Sequence, residues 1–153
     1  MSRVVNRAAF FSLFLMVGGV LAQETAQVPL PAITLSVGGR AVTAEVADEP
    51  QERVTGLMFR KNLAPDSGML FVMQEPEHAA FWMKNTTLPL SVAYINQSGM
   101  ILEIHDLQPL DEKPVPSAFS NIAYALEMEQ GWFARNRILA GDRIKGLPAL
   151  TGK

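Results

Sequence analysis

Apolar and polar residues alternate along much of the chain beyond residue 32, a pattern typical of strands that bury one face. Residues 33–37 and 41–46 alternate in this way on either side of Gly38-Gly39, which predicts a β-hairpin. Turn residues separate the later apolar runs, so we predict an antiparallel sheet of short strands. The further predicted strands cover residues 69–73, 79–84, 90–95, 101–107, 122–128 and 143–147.

Two short helices are predicted beside this sheet. Apolar residues recur at helical spacing between Asp48, which we predict as the N-cap, and Phe59, near which we expect the helix to end. A second helix is predicted over residues 131–137. The predicted fold class is therefore α+β, with a mostly antiparallel sheet curled into a small sheet or barrel and two short helices.

The first 22 residues have the order of a secretory signal. Arg3 and Arg7 precede an apolar run over residues 8–21, and small residues lead up to Ala22. This run of 14 residues is shorter than the roughly 20 that a membrane-spanning helix needs. We predict cleavage after Ala22, export to the periplasm or the cell exterior, and no stable membrane span afterwards. An uncleaved anchor is the alternative.

Composition narrows the classes of function open to the rest of the chain. Residues 23–32 are polar with two prolines and predict a tether, followed by a single domain over residues 33–150. The formal net charge is −2, which gives no attraction to nucleic acid. The chain has no cysteine, which excludes thiol catalysis and thiolate metal sites. We therefore expect no nucleic-acid partner, no metal and no cofactor.

Two arginines of the first predicted helix are candidate anion ligands. Arg53 and Arg60 stand seven residues apart, nearly two helical turns, so they would share one face. Two guanidinium groups on one face could hold a carboxylate or a phosphate. The alternative is that they pair at the surface with Glu49, Glu52 or Asp66.

A polar segment at the end of a predicted strand is the best candidate for a site, because loops at strand ends commonly carry function. Lys84 offers a charge, Asn85 offers a donor and an acceptor, and Thr86 offers a hydroxyl. An exposed Trp82 would add a platform for a ligand such as a sugar. The alternative is that Asn85 and Thr86 satisfy backbone groups of a turn.

Glu127 alternates with apolar residues on a predicted strand and shares a face with Ala123 and Ala125. One interpretation is a surface carboxylate or an ion pair with a cation such as Arg53 or Lys84. The other is burial beside apolar neighbours, which would raise the pKa of the carboxyl and make it an acid–base candidate.

Three stretches, in this order and spacing, resemble the domain of unknown function 192 family, and two shorter features support the likeness. The resemblance covers residues 37–147 and implies a small α+β domain, often exported in bacteria, whose biochemical role is not established. The stretches are residues 52–60 (ERVTGLMFR), 67–72 (SGMLFV) and 81–90 (FWMKNTTLPL), with Leu126-Glu127 before Gly131 and Gly141-Asp142 near the end.

The chain departs from the family pattern at two informative positions. Ser91 stands where the family usually has an acid, so no role that needs a carboxylate there carries over. Arg137 stands where the family tends to end its second helix with glycine. We therefore expect Asn136 to take the left-handed conformation that ends this helix.

The leading functional hypothesis is a non-enzymatic binding or accessory module. Its ligand would be a small polar or anionic molecule, or a component of the cell envelope. The site would lie at residues 84–86 beside Trp82, flanked by Arg53, Arg60 and Glu127.

Two alternatives belong to other classes of function. A hydrolase-type enzyme would use Glu127 or Asp142 with Lys84, and it requires the Glu127 carboxylate within hydrogen-bond reach of Lys84 or Thr86. Copper handling would use thioethers with the two histidines. The residues in question are Met58, Met69, Met73, Met83, Met100, Met128, His78 and His105.

Overall fold

The computed structural model describes residues 25–150, so the predicted signal over residues 1–22 lies outside the described residues. Within the described range, no helix is long and apolar enough to cross a bilayer. Its strands and helices follow one another as β1 (Ala32–Val37), β2 (Arg40–Ala47), α1 (Pro50–Thr55), β3 (Ser67–Glu77), β4 (Ala80–Phe81), β5 (Leu90–Asn96), β6 (Ile101–Leu107), β7 (Val115–Pro116), β8 (Ile122–Glu129), α2 (Trp132–Arg135) and β9 (Ile144–Lys145).

Seven of these strands form one strongly curled sheet in the order β6-β5-β8-β3-β2-β1-β9. Every neighbouring pair is antiparallel except β2 and β3, which α1 connects in parallel. Met100 pairs with Arg143, and the Ile144 N–H donates to the Gly99 carbonyl at 2.8 Å, so the two ends of the sheet meet. The predicted α+β class with a curled, mostly antiparallel sheet is confirmed.

The β1–β2 hairpin forms where the alternating pattern predicted it. Gly38 and Gly39 have φ of +55° and +85°, values that a two-residue hairpin turn of this kind needs and that glycine adopts without strain. Val37 therefore pairs with Arg40 across the turn.

The sheet is buried on both faces. The inner face is enclosed by the curl, since it gathers residues from both ends of the sheet, such as Val37 of β1 and Ile101 of β6. The outer face is covered by Leu57, beyond α1, and by the segment that runs from β4 into β5, which includes Met83. Successive residues of β3 divide between the two clusters, with Leu70 inside and Phe71 outside.

Helix α1 is shorter than predicted and its cap is one residue later. It ends at Thr55 because Gly56 turns the chain away with φ of +47°. Glu49, and not Asp48, is the N-cap, and the carboxylate of Glu52 accepts the backbone N–H of both residues at 3.2 Å.

Two other local predictions are wrong. The strand predicted over residues 79–84 is limited to Ala80–Phe81, because the chain turns at Lys84 and Asn85. After α2, the left-handed residue is Arg137, with φ of +59°, and not Asn136, whose φ is −97°. Asn136 instead donates from its side-chain amide to the Trp132 carbonyl at 2.8 Å, which satisfies the helix end.

Candidate functional site

A cleft opens on the outer face of the sheet, between α1 and the segment that follows β4. Gly56 lies close against Phe71 where the chain leaves α1: a Cβ on Gly56 would lie 3.2 Å from Cζ of Phe71. The covering chain therefore approaches the aromatic ring closely at this point and leaves a gap beside it.

The cleft has two adjoining chambers. The inner chamber has a volume of about 30 Å³ and the outer chamber about 260 Å³. The inner chamber is lined by residues 53–58, Phe71, Phe81, Trp82, Thr86 and Glu127. The outer chamber is lined by Arg53, Val54, Phe71, Met73, residues 77–80, Phe81 and Trp82.

Glu127 lies at the base of the inner chamber. It stands on the central strand β8, paired with Met69 of β3 and Val92 of β5, and it is only 4% exposed. Among residues 25–150, its carboxyl has no hydrogen-bond partner, and burial raises the pKa of this carboxyl from 4.5 to about 8. Glu127 is therefore mostly protonated at neutral pH, so the group at the base of the cleft is a neutral acid that can donate one hydrogen bond.

Arg53 borders both chambers and carries the positive charge of the cleft wall. Its Nη1 donates to the carbonyls of Asp48 and Val72, the second at 3.1 Å, and these bonds fix the guanidinium. No carboxylate of the described residues lies within 4.0 Å of it, and its Nε and Nη2 donate to none of them. This guanidinium thus presents an edge that can accept a bidentate ligand.

The rim of the cleft is aromatic. Trp82 is 42% exposed, and Nζ of Lys84 lies 5.4 Å from its ring centroid, a cation–π contact on the indole. Behind it, Phe81 meets Phe71 edge to face, with ring centroids 4.7 Å apart. These contacts hold the rings that form the wall shared by the two chambers.

Thr86 and Asn85 have the turn chemistry that was the alternative interpretation. Thr86 lines the inner chamber, but its hydroxyl donates to the Lys84 carbonyl at 3.0 Å. Asn85 takes a left-handed conformation with φ of +52°, and its backbone carbonyl accepts the Phe59 N–H at 2.8 Å. Asn85 thus shapes the segment without bordering either chamber.

Arg60 lies apart from Arg53, because α1 ends at Thr55 and the two side chains do not share a helical face. Arg60 forms a two-bond ion pair with Glu45, at 3.0 and 2.7 Å, outside the cleft. The cleft thus brings together Arg53, Trp82, Thr86 and Glu127 of the predicted residues. It leaves Arg60 and Asn85 outside, and Lys84 reaches it only through the Trp82 ring.

The geometry required by a hydrolase is not formed in the described residues. Glu127 makes no hydrogen bond with Lys84 or Thr86 there. Asp142 borders neither chamber, and its carboxylate accepts the Leu139 N–H at 2.8 Å in the turn before β9.

Four of the six methionines named for copper handling are core residues in the structure of residues 25–150. Residues 25–150 contain no group of three or more His, Cys, Asp or Glu side chains placed to hold a metal ion. Met69, Met73, Met83 and Met128 are buried in the two apolar clusters, where a thioether fills space between other side chains. His78 borders the outer chamber of the cleft.

Sequence reasoning missed the apolar wall of the cleft. Phe71 was predicted as an ordinary strand residue and Val54 as part of an apolar helix face, yet Val54 is 62% exposed at the mouth. Phe81, by contrast, belonged to the sequence hypothesis as the aromatic residue beside Trp82. Nothing in the sequence indicated that Phe71 faces a cleft.

The family acid missing at Ser91 has a counterpart in the fold. Ser91 is buried, its hydroxyl donates to Asp106 at 2.6 Å, and it accepts the Gly131 N–H at 3.0 Å. Asp106 on the neighbouring strand therefore brings a carboxylate to this place across the β5–β6 pair.

The fold and the site together define a small α+β domain with an open cleft. Its one curled, mostly antiparallel sheet carries a buried acid on the outer face, at the base of that cleft. The sequence profile of the DUF192 family, described as an uncharacterized ACR family, matches residues 33–146. The chain belongs to this family.

Solved structures give the same fold. A protein of Sinorhizobium meliloti 1021, provisionally described as a transcription regulator, is 36% identical with a TM-score of 0.73, over 78% of this chain and 96% of that one. A protein of unknown function from Novosphingobium aromaticivorans DSM 12444 is 31% identical with a TM-score of 0.70, over 84% and 99% of the two chains. No curated protein matches the chain significantly.

Proposed function

We propose that this protein is an exported binding module that takes a small polar or anionic ligand, or a component of the cell envelope, in the cleft above Glu127. The observation that carries the proposal is the Glu127 carboxyl at the base of an open cleft, where it borders the inner chamber and no group of residues 25–150 hydrogen-bonds it. A ligand that enters the cleft and supplies the partner gains a hydrogen bond in surroundings of low dielectric, where such a bond is stronger than in water.

The walls of the cleft support the same function. Arg53 offers charge, and the rings of Phe81 and Trp82 offer apolar surface, so charge and apolar surface meet at one place. Small-molecule sites combine a mostly apolar wall with a few polar groups in this way. A formal net charge of −2 does not favour nucleic acid as the ligand of this cleft.

A thermal-shift screen of the full-length protein against sugars, amino acids, organic acids, amines and cell-wall fragments tests this proposal. A ligand at 100 times its Kd stabilises the folded state by about 2.7 kcal/mol, which raises Tm by several degrees. Val54→Trp adds bulk at the mouth of the cleft and should remove the shift. Val28→Trp is the matched control, because Val28 is 80% exposed and borders neither chamber.

Two results would refute the binding site. One is that no compound of the screen stabilises the wild type. The other is that every stabilising compound also stabilises Val54→Trp equally, which would place binding elsewhere on the molecule.

Export is part of the same proposal and has its own measurement. The mature protein recovered from the native host should begin at Gln23, as shown by intact mass and N-terminal sequencing. A recovered chain that still carries Met1 would contradict cleavage after Ala22.

A further inference from the structure

We propose that the ligand presents a carboxylate group, held between the free edge of the Arg53 guanidinium and the Glu127 carboxyl, which line the same chamber. This inference rests on the proposed function and narrows it to one ligand class: small organic acids with a short apolar or aromatic tail.

The hydrogen-bonding capacity of the inner chamber fits a carboxylate. Arg53 has unassigned donors on Nε and Nη2, and neutral Glu127 has one donor. A carboxylate brings only acceptors, two oxygens with about four lone-pair positions, so it matches donors from both sides. An ammonium group brings only donors, and it would meet the uncompensated charge of Arg53.

The inner chamber is much smaller than the outer chamber, about 30 Å³ against about 260 Å³. It therefore suits a compact head group such as a carboxylate, with the rest of the ligand in the outer chamber.

The outer chamber suits the rest of such a ligand. Its volume of about 260 Å³ lies just below the range typical for sites of drug-sized ligands. Val54, Met73, Phe81 and Trp82 contribute apolar surface, so a short alkyl chain or one aromatic ring would be buried there.

This arrangement makes binding depend on pH. Above pH 8 the Glu127 carboxyl loses its proton, and the resulting anion repels a bound carboxylate. The other titratable groups facing Glu127 or bordering its cleft are Arg53 from α1, Tyr94 from β5, Glu129 on its own strand, and Glu77 and His78 at the outer end, with Lys84 on the outside of the rim.

Isothermal titration of the full-length protein with phenylacetate, phenylacetamide and phenethylamine at pH 6, 7, 8 and 9 tests the inference. Phenylacetate should bind at least tenfold more tightly than the amide at pH 7, and the amine should bind more weakly still. The phenylacetate affinity should be level between pH 6 and 7 and fall towards tenfold per unit above pH 8.

Variants separate the two contacts. Glu127→Gln keeps a donor, so phenylacetate binding at pH 7 should change by less than about fivefold and its fall above pH 8 should disappear. Arg53→Lys keeps the charge but loses the paired donors, so affinity should fall at least tenfold at every pH. Arg60→Lys is the matched control outside the cleft and should change nothing.

The failures of the two proposals are distinguishable. Tighter binding of the amine or the amide than of phenylacetate, blocked by Val54→Trp, overturns the carboxylate and leaves the cleft as a binding site. Phenylacetate binding that Val54→Trp does not affect overturns the carboxylate site. No binding of any of the three probes also overturns it, and the broader screen then decides whether the cleft binds another class.

Discussion

Leu126 and Glu127 are consecutive residues of β8, and both side chains are buried, but they lie on opposite faces of the sheet. Leu126, 0% exposed, packs in the inner cluster, which the curl of the sheet encloses. Glu127 lies among the outer residues, beneath a cover assembled from α1 and the segment after β4. The inner face is closed by the curl of the sheet together with Trp132 and Phe133 of α2, whereas the cover of the outer face leaves a gap.

The two faces also differ in how their polar groups are satisfied. Ser91 is the buried polar residue of β5 on the inner side, paired with Met128, and its hydroxyl has two protein partners. Glu127 has none among the described residues. A satisfied buried group stabilises a fold, and an unsatisfied one destabilises it, which is the condition under which a ligand gains affinity.

The largest expected effect is on the inner face. Leu126→Ala should lower the free energy of unfolding by about 3 kcal/mol, because the vacated space is walled by strands and cannot collapse. Urea denaturation at pH 7 measures this. A loss below about 1 kcal/mol would show that the inner face is loosely packed and that the contrast with the outer face is wrong. Ligand binding at the cleft should be unchanged in this variant.

The next prediction concerns the outer face and the pH dependence of stability that Glu127 causes. The folded-state pKa of Glu127, about 8, lies above its usual 4.5, so its contribution to stability is complete below pH 4.5 and is lost as pH rises towards 8. The slope is about 1.4 kcal/mol per pH unit. Between pH 5 and 7 the wild type should therefore lose about 3 kcal/mol relative to Glu127→Gln, measured by urea denaturation.

Parallel stability curves for the wild type and Glu127→Gln would contradict this prediction, because they would show that the carboxyl titrates alike in the folded and unfolded chain. The stability of Glu127→Gln also shows, without any ligand, whether the Glu127 carboxyl destabilises the fold. If the variant is more stable than the wild type at pH 8, the carboxyl is retained at a thermodynamic cost, as expected of a functional group.

Local pattern was sufficient for much of the fold. The β1–β2 hairpin follows from two alternating runs around Gly38-Gly39, and the α+β class follows from many short strands with turn residues between them. These features depend on neighbours in sequence. The end of α1 was missed because Gly56, which ends it, lies inside an apolar run that continues at helical spacing.

The state of Glu127 was not predictable from the alternation around it, because β8 is buried on both faces. The pattern indicated two faces but not that the second is covered by chain from elsewhere. The sequence pattern placed Ala123 on the same face as Glu127, but a register irregularity between Ile122 and Tyr124 turns Ala123 to the inner cluster. The pKa of Glu127 depends on the covering chain, so the tertiary structure was needed to find it.

The smallest of the three effects tests the satisfied polar group. Ser91→Ala should lower the free energy of unfolding by about 2 kcal/mol, since it leaves the Gly131 N–H and the Asp106 carboxylate without their shared partner. Ser67→Ala is the control, because its hydroxyl makes only one bond, at 3.5 Å to Pro65. Urea denaturation at pH 8 then compares signs: Ser91→Ala should destabilise the chain where Glu127→Gln stabilises it. If both variants shift stability in the same direction, the two faces do not differ in how their polar groups are hydrogen-bonded. Glu127 would then not be a group that lacks a partner in the free protein.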